Sequence, residues 1–175
     1  MAPPKTNAMR LLDRAQIPYQ ELSFEADESE LSGLDAARIL GVDPEIVYKT
    51  LVLTGSSNPV LVCLLPAARS LDLKKLAALS GDKRVSPVHM NDLPRLTGYL
   101  RGGCSPIGMK KDFPVFADKS MTNQDQVLVN AGKRGVQLKL APRGERYRRL
   151  VEELMDVACA GNRNCDTGCF GSRGI

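Results

Sequence analysis

Helical and strand-like apolar spacings alternate along this chain, and each stretch is closed by a proline, a glycine or a polar cap before it grows long. That punctuation restricts the fold to α/β or α+β with mostly short connections, and periodicity alone leaves the choice between them open. Asn7 to Gln16 reads as a short helix with Leu11, Leu12 and Ala15 on one side, stopped by Pro18, and Tyr19 to Phe24 follows as a strand. Ser32 with Asp35 predicts the cap of a second helix ending at Gly41, and Asp43-Pro44 turns into the next strand. The runs Val47–Thr54 and Val60–Leu65, separated by a turn over Gly55 to Pro59, form an expected hairpin. Ser70 is expected to cap a helix over Leu71–Leu79 that Gly81 closes, with a short strand near Arg84–Val88 and a brief helix from Asn91 beyond it. Three strands follow at Phe113–Ala117, Gln126–Asn130 and Val136–Leu140, the last setting Val136, Leu138 and Leu140 against Gln137 and Lys139. A final helix places Leu150, Val151, Leu154 and Val157 along one stripe.

At 175 residues the chain is long enough to bury one core without covalent staples, and no repeat or linker divides it. No apolar run approaches the roughly 20 residues that cross a bilayer. Met1-Ala2-Pro3-Pro4-Lys5 lacks the apolar segment of a secretory signal, so a cytoplasmic protein without a membrane partner is expected. The net charge of +4 permits an anionic partner without requiring one. Arg143, Arg146, Arg148 and Arg149 are read as solvating the last helix. Five cysteines, an odd number, argue against a disulfide framework, and Cys63 lies in an apolar run where a small buried hydrophobe is expected. Cys159, Cys165 and Cys169 match no zinc spacing and lie far in sequence from His89, the single histidine; no metal and no cofactor are expected. His89 reads as an ordinary loop residue, which leaves a Ser-His or Cys-His hydrolase with one possible arrangement that nothing marks.

Chemistry is better signalled between Gly98 and Lys111, where four glycines, Ser105-Pro106 and two lysines occur together. Glycine lets a ligand sit against the main chain, and such a loop can aim N–H donors at a phosphate or an oxyanion. A second candidate is Lys49, which shares a strand face with Val47 and Leu51. A lysine so placed either snorkels to water at a strand end or is partly desolvated with its ammonium held for a purpose.

Together these segments resemble the YbaK/prolyl-tRNA-synthetase-associated editing domains. The resemblance is carried by Tyr48-Lys49-Thr50-Leu51, by Gly98-Tyr99 with Gly102-Gly103-Cys104-Ser105-Pro106-Ile107-Gly108-Met109-Lys110-Lys111, and by Val129-Asn130-Ala131-Gly132-Lys133-Arg134-Gly135, in the family's order. It spans about residues 8 to 157 and looks most like the bacterial Cys-tRNA(Pro) deacylases of that family. The fold it implies is α+β, a mixed barrel-like sheet surrounded by helices, in a single domain over residues 1–157 with a disordered tail from 158 to 175.

The activity it implies is hydrolysis, in trans, of the ester joining a wrong amino acid to the 3′ end of tRNA, with prolyl-tRNA synthetase as an expected partner. Such an ester is already activated, so positioning and oxyanion stabilisation suffice, and a cysteinyl substrate's own thiol can attack its carbonyl to give a thiolactone. The resemblance makes Lys49, Gly102 and Gly103 the catalytic candidates, Lys49 as a point charge and the glycines as N–H donors. Thr50, Phe24, Ser105, Asn130, Gly132 and Lys133 are the expected substrate-binding residues. Asn130 stands where near relatives carry serine, and Cys104 where a small or aliphatic residue is common. The first departure bears on substrate preference, and the second raises a protein nucleophile. An Ala- or Ser-tRNA editor using a positioned water, and a non-catalytic module gripping tRNA or a synthetase, are the alternatives.

Overall fold

The computed structural model describes residues 4–26, 32–143 and 167–169. Helix α1 (Asn7–Arg14) starts at Thr6, whose hydroxyl accepts from the Met9 N–H, and it buries Ala8, Met9 and Leu12. It ends two residues short of the expected Gln16, which adopts φ 56°. Helix α2 (Gly33–Leu40) opens on the expected capping box between Ser32 and Asp35 and closes on left-handed Gly41. Helix α3 (Leu73–Ser80) is capped by Asp72 rather than Ser70. Its carboxylate reaches the N–H groups of both Lys74 and Lys75, which a hydroxyl farther from the first turn does not. Helix α4 (Leu93–Thr97) follows a 3₁₀ turn over Met90–Asp92 and leads into the glycine-rich loop through left-handed Gly98.

Strands β1 (Gln20–Ser23), β6 (Val127–Asn130) and β7 (Val136–Leu140) form one antiparallel sheet in the order β1-β7-β6. A second sheet has the order β4-β2-β3-β5-β8, from β4 (Val85–Pro87), β2 (Tyr48–Gly55), β3 (Leu61–Pro66), β5 (Val115–Asp118) and β8 (Thr167–Cys169). The expected β2–β3 hairpin is present, pairing Leu53 with Leu61 through Tyr48 with Pro66. β3 and β5 run parallel, which makes this sheet mixed.

The α+β class stands, but the sheets do not close into a barrel. Among the described residues the sheets are bridged in parallel at Val47, just before β2, and Leu128 of β6, and β2 then turns to pair with β4 from Leu53 onward. The helix expected near Leu150–Val157 lies outside the described residues, as do Cys159 and Cys165. Of the tail expected to be disordered only Thr167–Cys169 are described, and they pair with Asp118–Phe116 of β5.

Most of the core lies between α1 and the sheets, with Leu12, Ile107, Met121 and Leu138 fully buried. Each such side chain stabilises the fold by about 1.5–3 kcal/mol. A smaller cluster of Ala37, Val47, Ala67 and Leu128 holds α2 over the junction of the two sheets. Among the described residues no helix is long and apolar enough to cross a membrane.

Candidate active site

The two sheets part along β2, and the gap opens into a cavity of about 550 Å³. Its walls are the end of β1, the start of α2, Val47–Leu51, the glycine-rich loop and the β6–β7 connection. The Val47 carbonyl accepts from the Ala67 N–H at 2.7 Å on the β3 side, whereas the Val52 carbonyl accepts from the Val88 N–H at 3.1 Å on the other side. Peptide groups alternate in direction along a strand. The N–H and C=O of Thr50 are therefore turned to the open edge, and those of Lys49 to β3.

Lys49 lines the cavity and donates to the Ala67 carbonyl at 3.4 Å. Burial lowers its pKa below the ordinary 10.5, partly offset by the Cys63 sulfur nearby. The ammonium is thus partly desolvated, the second of the two situations that its strand face allows. The Thr50 hydroxyl is buried in the same wall with no hydrogen-bond partner. Cys63 itself is fully buried, and burial pushes its thiol up to about 12.

The glycine-rich loop is shaped from within. Tyr99 is buried and donates its phenol hydrogen to the Ile107 carbonyl at 2.6 Å, with the Gly108 carbonyl at 3.1 Å. Ser105 has no exposed surface, and its hydroxyl accepts from the Ile107 N–H at 3.2 Å, so it fixes the turn behind the wall. The Gly103 N–H donates to the Leu100 carbonyl at 3.0 Å. A Cβ on Gly103 would lie 3.1 Å from the Arg134 nitrogen, so this glycine permits close packing of the loop on the β6–β7 turn. Gly102 lines the cavity.

Two side chains tie that loop to the β6–β7 turn. Asn130 donates to the Gly102 carbonyl at 2.9 Å while its own carbonyl accepts from the Gly132 and Lys133 N–H groups at 2.8 and 3.2 Å. Arg134 Nε donates to the Arg101 carbonyl at 2.8 Å. Gly132 sits at φ 91°, where a Cβ would come within 2.7 Å of the Tyr99 ring. At the other end of the turn the Gly135 carbonyl accepts from the Phe24 N–H at 2.8 Å, which sets Phe24 at the cavity mouth.

Lys49, Thr50, Phe24, Gly102 and Asn130 therefore share one cavity, while Gly103, Ser105 and Gly132 lie behind its wall. Lys133 lines a neighbouring groove of about 290 Å³ that shares Phe24, Arg134 and Gly135 with the cavity. Arg101, Arg134 and Gln137 line the cavity although sequence reasoning did not select them. Gln137 is 7 % exposed, and its carbonyl oxygen has no hydrogen-bond partner. Among the described residues, the lining side chains include three cations, Lys49, Arg101 and Arg134, and no carboxylate. Cys104 also faces the cavity, but burial, only partly offset by the Thr97 hydroxyl, pushes its thiol up to about 12, which leaves it protonated and a poor nucleophile at neutral pH. His89 is exposed at the start of a 3₁₀ turn and does not line the cavity.

The family model for the aminoacyl-tRNA editing domain matches residues 28–147. The "Putative Cys-tRNA(Pro)/Cys-tRNA(Cys) deacylase EbsC" of Enterococcus faecalis is 46% identical over 138 residues, 79% of this chain and 84% of that relative. Among solved structures, the hypothetical protein APE2540 superposes with TM-score 0.73 at 21% identity over 87% of this chain and 96% of its own. A "putative trans-editing enzyme for prolyl tRNA synthetase" superposes with TM-score 0.69 at 21% identity over 89% and 95%. Those two share the fold. With the family model spanning the cavity from α2 to β7, the chain belongs to the aminoacyl-tRNA editing domain family, of the YbaK type.

Proposed function

We propose that this aminoacyl-tRNA deacylase clears cysteine from mischarged tRNA(Pro) in trans, in the cytoplasm and beside prolyl-tRNA synthetase. The observation that carries the reading is a single cavity in which Lys49, Thr50 and Gly102 converge without an activated protein nucleophile. A volume of about 550 Å³ falls in the range of small-molecule sites and suits an aminoacyl-adenosine terminus. The 46% identity to EbsC, whose name carries Cys-tRNA(Pro), supports the same substrate. A synthetase pocket separates amino acids of similar size poorly, so a second site that hydrolyses the wrong product has a use.

In this mechanism the protein positions and the substrate reacts. The cysteinyl thiol attacks its own ester carbonyl, a C–S bond forms, the C–O bond to the ribose breaks, and the thiol proton passes to the departing 3′ oxygen. The thiolactone so released contains sulfur, Cβ, Cα and the carbonyl carbon, a strained four-membered ring, and it hydrolyses in water to cysteine. Ring strain offsets part of the intramolecular advantage, so stabilising the tetrahedral oxyanion matters more. Lys49 supplies a partly desolvated positive charge there, with N–H donation from Gly102 and from Thr50 at the open strand edge. Gly103 serves by close packing, because its N–H is held by Leu100. Ser105, Asn130 and Gly132 hold the loops in register, Phe24 packs against the substrate, and Lys133 meets the nucleic acid from the adjoining groove.

Single-turnover deacylation of Cys-tRNA(Pro) and Ala-tRNA(Pro) tests the reading. Fast loss of cysteine alone is expected, with Lys49→Ala folded and inactive. Comparable loss of alanine would replace thiol attack by a positioned water, and an unchanged rate in Lys49→Ala would remove Lys49 from the site.

A further inference from the structure

Arg134 belongs to two spaces at once. The cavity takes Gln137 from one face of β7 and the neighbouring groove takes Val136 from the other, so the two meet around the end of the sheet. Phe24, Arg134 and Gly135 line both, and a chain running from one into the other passes them. Arg134 Nε donates to the Arg101 carbonyl at 2.8 Å, which holds the guanidinium against the glycine-rich loop and turns the edge of its two terminal nitrogens away from that carbonyl. The groove, of about 290 Å³, has two unlike ends. Lys133 and Arg134 stand at the β6–β7 turn, whereas Glu21 and Ser23 share a face of β1, with Glu21 two residues farther from the turn. The Ser23 hydroxyl donates to the Glu21 carboxylate at 3.2 Å. Met9 and Val136, 4 % and 8 % exposed, give the groove an apolar floor.

On the reading that the substrate is an aminoacyl ester at the 3′ end of tRNA, we propose that the groove is the subsite for the penultimate nucleotide, the second cytidine of the CCA terminus common to tRNAs, and that Arg134 grips the phosphodiester joining it to the terminal adenosine. A nucleotide has the same two-ended chemistry as the groove. Its phosphate is drawn to Lys133 and Arg134 and repelled by Glu21, which puts the base at the Glu21 end. Arginine suits the phosphate because two of its N–H groups bond two of the oxygens at once. Cytosine presents an N4 amino group that a carboxylate accepts from, whereas a base with a 4-oxo group presents an acceptor there and is repelled. The base plane rests on Met9 and Val136. Arg134 thus ties the position of the tRNA end to that of the glycine-rich loop, and Glu21 reads the base before the reacting nucleotide.

The test uses three small substrates, 3′-cysteinyl-adenosine and the 3′-cysteinyl esters of the dinucleotides CpA and UpA, each rate corrected for uncatalysed hydrolysis. Wild-type enzyme is expected to favour CpA over adenosine by about 10- to 100-fold in kcat/KM, the size of a charge-assisted contact to phosphate. It is expected to favour CpA over UpA by about 5-fold or more. Arg134→Ala is expected to lower the CpA-to-adenosine ratio by about tenfold, whatever it does to the adenosine rate. Loss of the tether to Arg101 slows both substrates alike and cancels in that ratio. Glu21→Gln, whose amide both donates and accepts, is expected to abolish the preference for CpA over UpA while both dinucleotides stay ahead of adenosine. Equal wild-type rates for cysteinyl-CpA and cysteinyl-adenosine, or an unchanged ratio in Arg134→Ala, overturn the phosphate grip. No wild-type preference between CpA and UpA, or an unchanged one in Glu21→Gln, overturns the base assignment. Either result alongside rapid Cys-tRNA(Pro) hydrolysis would sink this inference alone, whereas absence of Cys-tRNA(Pro) hydrolysis would sink the substrate reading beneath it.

Discussion

Lys49 combines one stabilising and one destabilising consequence of its position. Burial holds its folded-state pKa below 10.5, so the charged form is disfavoured by folding, and that cost is present below the folded pKa and disappears as pH rises towards the unfolded value. Lys49→Met is therefore expected to leave the thermal midpoint at neutral pH equal to or above wild type while deacylation is lost, as measured by calorimetry beside the single-turnover assay. The same shift sets the rate profile. If the ammonium is the working form, kcat/KM corrected for uncatalysed hydrolysis falls on the alkaline side at a pH below 10.5, and Lys49→Arg, which stays charged, carries that fall to higher pH. A flat profile up to pH 10.5 would remove the charge from the mechanism. Lys49 was legible in the sequence because a cation between Val47 and Leu51 on a strand contradicts its neighbours. Gln137 was not, since alternation with Val136 and Leu138 reads equally well as a polar face in water, and only the cover of Leu22, Leu128 and α2 turns that face inward.

Elements were readable where their signals are local. The Ser32–Asp35 box, the Gly41 and Gly81 ends and the Val136–Leu140 strand all depend on residues within one turn or one strand of each other. What fastens the β2–β3 hairpin does not. Asp82 accepts from the Ser57 and Asn58 N–H groups at 2.6 and 3.1 Å, from Asn58 Nδ2 at 2.9 Å and from the Ser80 hydroxyl at 2.6 Å. Burial raises the pKa of this carboxyl, but the donors outweigh it and hold it at about 2. A depressed folded-state pKa gives stability that is present above the unfolded value of about 3.9 and is lost as pH falls towards 2. Asp82→Asn is expected to lower stability at pH 7 by about 2 kcal/mol and to flatten the acid limb between pH 4 and 2 in urea titrations; equal acid limbs in both proteins would contradict this. The β6–β7 turn carries a comparable constraint. At Gly132 an added methyl meets both an unfavourable φ of 91° and the Tyr99 ring at 2.7 Å, so Gly132→Ala is expected to destabilise by about 2 kcal/mol or more, read from the denaturant midpoint.

At the scale of the whole molecule the site exists because two sheets share one short contact. Val47–Leu128 joins them, β2 then departs for β4, and the opening is lined by loops whose glycines allow their backbones to touch. Periodicity could show the short elements but not this junction, because a bridge between residues 47 and 128 leaves no local trace. The resemblance supplied the barrel-like sheet, and the turn of β2 to β4 is why the closure is missing. The same arrangement sets a net charge of +4 to use, since Arg101 and Arg134 stand at the cavity and Lys133 at the adjoining groove. If that groove carries the nucleotides leading to the terminal adenosine, KM for intact Cys-tRNA(Pro) rises steeply with salt, whereas kcat/KM for cysteinyl-adenosine, which lacks those phosphates, changes much less. Lys133→Ala should weaken binding of tRNA without lowering single-turnover kcat, and should reduce the log–log salt slope by about one. An unchanged slope in that variant would place the nucleic acid on another face, and the groove would then be only the outer wall of the Phe24–Gly135 turn.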